Sequence, residues 1–155
     1  KTHRLFFLFF MVIKDGVKVF VKNRKLGKYL FCLRDNKPTI LYPNMWGLLG
    51  GGIEHDETPL QALEREIGEE TNIKLYDIKE LGSRPITHTF MENGVERKKR
   101  CRFFVFLAQT DADLNEAELY EGQRFEYFTL KEVKKQDDLS PPTKVMIAMC
   151  EDHLV

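Results

Sequence analysis

Charge of one sign is what this sequence lacks: Lys and Arg number 24, and so do Asp and Glu. A neutral balance sets up no field to draw in nucleic acid or an anionic bilayer, so neither general nucleic-acid binding nor membrane association is expected. Cysteine is scarce. Cys32, Cys101 and Cys150 stand far apart, an odd count with no C-x-x-C pair. That excludes a disulfide framework and zinc spacing, and it fits a reducing, cytoplasmic setting. The apolar run Leu5 to Ile13 is nine residues long, too short to span a bilayer. It is followed by the turn residues Lys14-Asp15-Gly16 rather than a small-residue cleavage site, so it reads as a buried first strand and not a signal peptide. The chain begins at Lys rather than Met, and a few preceding residues are expected. Internal repeats and low-complexity linkers are absent, so residues 1–155 read as a single domain.

Alternating elements fill the chain. Val17–Val21 and Tyr29–Arg34 are short apolar strand candidates, and the polar, proline-containing Asp35–Asn44 is a loop. Arg84–Glu92 and Arg97–Ala108 read as strands joined by Asn93-Gly94, a strong hairpin signal. Phe125–Leu130 is a further strand, Lys131–Gln136 a short helix, and Thr143–His153 a C-terminal helix after Ser140-Pro141-Pro142. The fold class is therefore α/β (α+β), with a mixed sheet covered on both faces. The run RKKR at 97–100 lies on a hairpin strand, where it serves to keep an edge soluble or to hold phosphates.

The best-marked helix follows the glycine-rich stretch WGLLGGGIEHDET at 46–58. Thr58 is a fit N-cap, Pro59 suits the first helical position, and Gln61 completes a capping box. Leu60, Leu63 and Ile67 form an apolar stripe, and Asn72 falls where a left-handed cap would close the helix, which thus spans Pro59 to Thr71.

Its last turns carry Glu66, Glu69 and Glu70. Glu66 and Glu70 are four apart, a like-charge pair costing roughly 0.2–0.5 kcal/mol. All three sit at the negative end of the helix dipole, which disfavours each by about 0.3–1 kcal/mol. They span an arc of about 100° beside the apolar stripe. Such crowding is either a solvated acidic face or a site for a hard divalent cation, Mg²⁺ or Mn²⁺, given oxygen donors without His or Cys. Gly50-Gly51-Gly52 favours the second, because bare backbone can approach a ligand and lend carbonyls to it. Neither a P-loop nor a G-x-G-x-x-G pattern is present.

From Gly51 to Ile73 the sequence GGIEHDETPLQALEREIGEETNI resembles the Nudix box, G-x5-E-x7-R-E-U-x-E-E-x-G-U, where U is a bulky aliphatic. Gly51, Glu57, Arg65, Glu66, Ile67, Glu69, Glu70 and Ile73 occupy its fixed positions, and Asn72 alone departs, standing where the family has glycine. Pro43-Asn44-Met45-Trp46 is similar to the family's P-x-x-W segment. EGQRFEYF at 121–128 resembles its E-G-Q-x-x-x-W-F region, with Tyr127 in place of Trp. The resemblance implies a Nudix-type α/β/α sandwich and a MutT-like, metal-dependent pyrophosphohydrolase that cleaves a nucleoside diphosphate linked to a group X. It implies Gly50 (by its carbonyl), Glu66 and Glu70 at a first metal. Glu69 and Glu121 would serve a second metal or the attacking water, so that Glu66, Glu69, Glu70 and Glu121 are the catalytic set. Glu116, Glu118 and Glu126 compete with Glu121 for the distant carboxylate's place. Gly51, Glu57 and Arg65 would support the box.

Subfamilies that cleave ADP-ribose carry a proline where this chain has His88, and dinucleoside polyphosphate hydrolases carry a tyrosine where it has Phe90. Neither marker matches, which turns the expectation toward a nucleoside triphosphate-type substrate. ADP-ribose or nucleotide-sugar hydrolysis, dinucleoside polyphosphate hydrolysis and non-catalytic nucleotide sensing are the alternatives. Trp46, Tyr42, Phe90 and Phe128 are candidate stacking platforms for the base, each weighed against an ordinary place in the core. An isomerase of the same fold would need a positioned cysteine, whereas Cys32 and Cys101 sit in apolar strand patterns. A small-molecule nucleotide is the expected partner, and assembly as a homodimer is left open.

Overall fold

The computed structural model describes residues 13–154; the expected strand over Leu5–Ile13 falls outside them except for Ile13. Seven strands form one mixed sheet: β1 (Gly16–Asn23), β2 (Lys28–Leu33), β3 (Trp46–Gly47), β4 (Leu49–Gly52), β5 (Tyr76–Glu92), β6 (Val95–Thr110) and β7 (Arg124–Phe128). The order is β3-β2-β1-β6-β5, with β4 on β1 and β7 on β2. Among the described strands only β1 and β6 pair in parallel; every other strand pairing is antiparallel. Three α-helices, α1 (Pro59–Glu70), α2 (Leu130–Lys134) and α3 (Pro141–Cys150), and a 3₁₀ turn at Glu151–His153 complete the described residues.

One pairing shapes the molecule. β1 and β2 bond at Asn23↔Lys28 and Lys22↔Tyr29 and then part. β4 takes up the freed edge of β1, from Val19↔Leu49 to Gly16↔Gly52, while β3 pairs with the far end of β2. The glycine run is thus a strand laid along the split. Gly50 must be glycine there: its φ is +143°, and a Cβ would come within 2.0 Å of the Val17 carbonyl oxygen.

The two faces are covered as the patterning foretells. Val17, Val19, Val21, Leu30 and Leu49 pack with Ala62, Leu63 and Ile67 of α1. Phe20, Phe31, Trp46 and Phe128 pack with Val133 of α2 and Met146 and Ile147 of α3 on the other side. The result is an α/β/α layering around the mixed sheet. Among the described residues no helix is long and apolar enough to cross a membrane. The three cysteines are free and buried.

Three local expectations are corrected. Leu60 is 44% exposed and leaves the stripe, and Ala62 takes its place. α1 closes at Glu70 with Thr71 in extended backbone, and Asn72 is not among the residues with positive φ. Instead of a left-handed cap, the Asn72 side chain accepts the Glu118 N–H at 2.8 Å, and Thr71 Oγ1 donates to the Glu118 carbonyl at 2.7 Å. β5 begins at Tyr76, eight residues before Arg84, because irregularities between Tyr76 and Lys79 and between Glu80 and Gly82 let it bend without leaving β6. Asn93 and Gly94 both have positive φ (51° and 76°), as the hairpin signal requires.

Candidate active site

The site begins with how α1 is held. Thr58 accepts the Gln61 N–H at 3.2 Å while Gln61 Oε1 accepts the Thr58 N–H at 2.9 Å, so the capping box is closed in both directions. At about 100° per residue, the buried face then runs from Ala62 through Leu63 to Ile67. Glu66 and Glu70 lie inside that arc, not beside it. Glu70 is 8% exposed. A buried carboxylate is costly unless it is paired, and here it accepts the Gly50 N–H at 2.9 Å. Burial pushes its pKa up to about 8, with Lys18 and the Gly50 N–H opposing and Glu66 and Glu121 adding to the rise. The Glu66 carboxyl is likewise pushed up, mainly by burial.

Glu66 rests on Gly51. A Cβ at that glycine would meet the Glu66 carboxylate atoms at 2.3–2.5 Å, so only bare backbone admits the acid. Both acids of the inner face therefore lie on the glycine strand. Arg65 secures the outer side: its Nε and Nη2 donate to the two Glu57 oxygens at 2.7 and 2.9 Å, Nη2 also to the Gly52 carbonyl at 2.8 Å, and Nη1 to Glu66 at 2.9 Å. These bonds hold the Glu57 carboxyl down at about 2 and push the guanidinium pKa up. Glu69 is on this outer side, 3.3 Å from Arg65 Nη1.

A cavity of about 650 Å³ opens at the split between β1 and β2. Glu66, Glu70 and Glu121 reach it, with Gly50, Gly51 and Gly52 in its wall. Glu121 is brought there through the end of α1: the Tyr120 N–H donates to the otherwise orphaned Glu70 carbonyl at 2.7 Å. Of the rivals to Glu121, Glu126 pairs with Arg124 at 3.8 Å, while Glu116 and Glu118 are exposed and do not line the cavity. Glu69 does not line it either. Among the described residues no three His, Cys, Asp or Glu side chains stand close enough together to hold one metal ion. The donor set still suits one: its oxygens are hard, and Glu70 is an acid buried at a cavity wall where a cation would offset its desolvation.

The stacking candidates divide. Tyr42 lines the cavity. Trp46, 2% exposed, is packed edge-on against Phe128 at 5.1 Å under the Arg124 guanidinium. Neither ring has a face left for a ligand, and the half-buried Phe90 is not at the cavity.

Four cations line the cavity, none singled out from sequence: Lys14 and Lys37, both exposed, and the more buried Lys18 and Arg34. Lys18 is embedded in β1 opposite Gly50, and its Nζ donates to the Leu48 carbonyl at 3.3 Å. Burial and Arg34 lower its pKa, while Glu70 and Glu66 oppose the shift. Arg34 follows β2, with Nε donating to the Leu41 carbonyl at 2.8 Å. The signal for Lys18 was present: a lysine inside the apolar run GVKVFV is an anomaly that burial alone does not explain.

The NUDIX domain model matches residues 12–150, and the chain belongs to the Nudix family. Its fold is similar to that of a MutT Nudix hydrolase from Burkholderia pseudomallei (22% identity, TM-score 0.66, covering 88% of this chain and 98% of that one). It is similar also to a MutT protein from Methanosarcina mazei Go1 (22%, 0.66, 90% and 93%). A third likeness is to the Nudix domain of Shewanella oneidensis NrtR, solved with ADP ribose (18%, 0.67, 94% and 91%). No curated protein matches the sequence.

Proposed function

We propose that this chain is a divalent-metal-dependent pyrophosphohydrolase acting on a nucleoside diphosphate linked to a group X, with nucleoside triphosphates as the leading substrate class. The observation that carries this is the meeting of Glu66 and Glu70 with the glycine strand at the wall of a cavity that also holds Glu121, Lys18 and Arg34. A pyrophosphate is densely anionic, and water attacks it only when that charge is offset and the nucleophile activated. Glu66, Glu70, Glu121, the Gly50 carbonyl and, from the outer side of α1, Glu69 are the groups that would hold Mg²⁺ or Mn²⁺. The bound ion supplies Lewis-acid charge and lowers the pKa of water.

The protein's own residues do the rest. Lys18 and Arg34 offer positive charge to phosphate oxygens from inside the cavity. Arg65 and Glu57 hold the acid helix against the Gly52 carbonyl. Glu66, Glu69 and Glu70 are the carboxylates from which a proton acceptor would be drawn. A module that binds nucleotide without cleaving it is the second reading, and the outward position of Glu69 favours it. The complete set of box acids favours the hydrolase.

The test is a substrate panel with Mg²⁺ or Mn²⁺: canonical and oxidised nucleoside triphosphates, ADP-ribose, a nucleotide sugar and a dinucleoside polyphosphate. Metal-dependent turnover of triphosphates is expected. Turnover confined to another class would reassign the substrate, and binding without turnover across the panel would replace the hydrolase with the sensing module.

A further inference from the structure

The cavity is graded. Its α1 end is acidic, and Lys18 and Arg34 stand in the middle, within electrostatic reach of Glu70 on one side and of His88 on the other. On the His88 side Tyr42, His88 and Phe103 line it as a cluster of uncharged rings. His88 is 5% exposed, packed edge-on to Phe103 at 5.6 Å and tilted against the Tyr42 ring at 5.8 Å. Tyr42 itself is half-buried and lines the cavity.

The polarity of this pair can be worked out. The Tyr42 hydroxyl lies 3.1 Å from His88 Nδ1. Of the two groups the phenol is the stronger proton donor and the imidazole nitrogen the stronger acceptor, so the hydroxyl proton is given to Nδ1. Burial raises the Tyr42 pKa, keeping that proton in place, and burial with Lys18 and Arg34 lowers the His88 pKa, keeping the ring neutral. A neutral imidazole that accepts at Nδ1 carries its hydrogen on Nε2. The arrangement is held under strain: Tyr42 has φ +51°, a backbone conformation that bulky residues rarely adopt. Arg34 fixes the segment through the Leu41 carbonyl.

We infer that the Tyr42–His88 end of the cavity seats the nucleobase, and that His88 Nε2–H donates to a carbonyl oxygen on it, favouring an oxo purine such as guanine over adenine. This rests on the reading of the chain as a nucleotide-binding Nudix protein. It follows from how the lining divides by chemistry: the acids serve the metal, Lys18 and Arg34 face the phosphates, and the uncharged rings around His88 are left for the base. A fixed donor rejects a base that cannot answer it, because the donor is then left unpaired in a dry site.

The experiment compares GTP with ATP on the wild type, Tyr42→Phe and His88→Ala, and follows the ¹⁵N resonances of the His88 ring with the non-hydrolysable imido analogues of both nucleotides. The free protein should show hydrogen on Nε2. The GTP analogue should shift that resonance and the ATP analogue leave it. The wild type should prefer GTP by about tenfold in kcat/KM, and His88→Ala should lose that preference through KM. Tyr42→Phe, which keeps the ring and the fold, should weaken it by freeing the tautomer. Hydrogen on Nδ1, equal use of GTP and ATP, or an unmoved ring with the GTP analogue bound would overturn the subsite. A shift at Nε2 in a protein that cleaves no nucleotide would uphold the subsite and discard the hydrolase.

Discussion

Arg65 grips Glu57 with two nitrogens, at 2.7 and 2.9 Å, and reaches Glu66 with a third at 2.9 Å. Support that orients a functional carboxylate is worth roughly 10–100-fold in activity when it is lost. Lysine cannot reproduce this fork. Arg65→Lys should therefore fold and lose activity by about that factor. NMR titration of Glu57 should show its carboxyl rising from about 2 toward the ordinary range. An unchanged Glu57 titration would mean that the fork does not govern it.

Two adjacent glycines should respond differently to the same change. Gly50→Ala puts a methyl 2.0 Å from the Val17 carbonyl oxygen, a backbone clash at positive φ that cannot relax cheaply. It should cost stability by several kcal/mol and be read as a fall in Tm. Gly51→Ala meets only the end of the Glu66 side chain, which can swing away. That variant should keep most of its Tm and lose activity, because Glu66 has been moved.

How far the sequence revealed these features depends on how local their causes are. Thr58, Pro59 and Gln61 act on the first turn of α1, and Asn93-Gly94 act on one hairpin, so both were legible. The seating of α1 was not: Leu60, Leu63 and Ile67 make a plausible stripe, yet the face that docks on β1 and β4 is centred nearer Glu66 and Glu70. Only the strand it meets, glycine rather than valine, accounts for acids in that place. Lys18 escaped notice because its partners, Leu48 and the α1 acids, are distant in sequence. Trp46 and Phe128 escaped for the opposite reason, since an aromatic ring looks alike in sequence whether it faces a ligand or the core.

Asn72 gives a direct contest between the two readings. Were it a left-handed cap, Asn72→Gly would stabilise the protein. The structure has its side chain accepting the Glu118 N–H from outside the left-handed region. The substitution should instead destabilise by about 1–2 kcal/mol, from a lost hydrogen bond and added backbone entropy. A raised Tm would restore the left-handed cap.

Stability should also depend on pH with a definite sign. The Glu70 carboxyl is raised from 4.5 to about 8 by burial, and that of Glu66 is raised too. Between those values the folded state holds more protons than the unfolded one, so stability falls as pH rises from about 5 to 8. The buried Lys18, whose pKa is lowered, acts in the opposite sense at higher pH. Metal-free protein should lose Tm across that window, and Glu70→Gln should flatten the slope. Mg²⁺ or Mn²⁺ should restore Tm at pH 8 more than at pH 5, where protons compete for the site.

The most direct test of the central claim, that the acids on the glycine strand make this cavity a metal-dependent hydrolytic site, is nucleoside triphosphate turnover with and without Mg²⁺ or Mn²⁺ in the wild type, Glu66→Gln and Glu70→Gln. Each variant is first shown by its melting curve to fold. Turnover that requires the metal and falls at least about 100-fold in both variants is the expected result. Metal-independent turnover, or variants as active as the wild type, would contradict it.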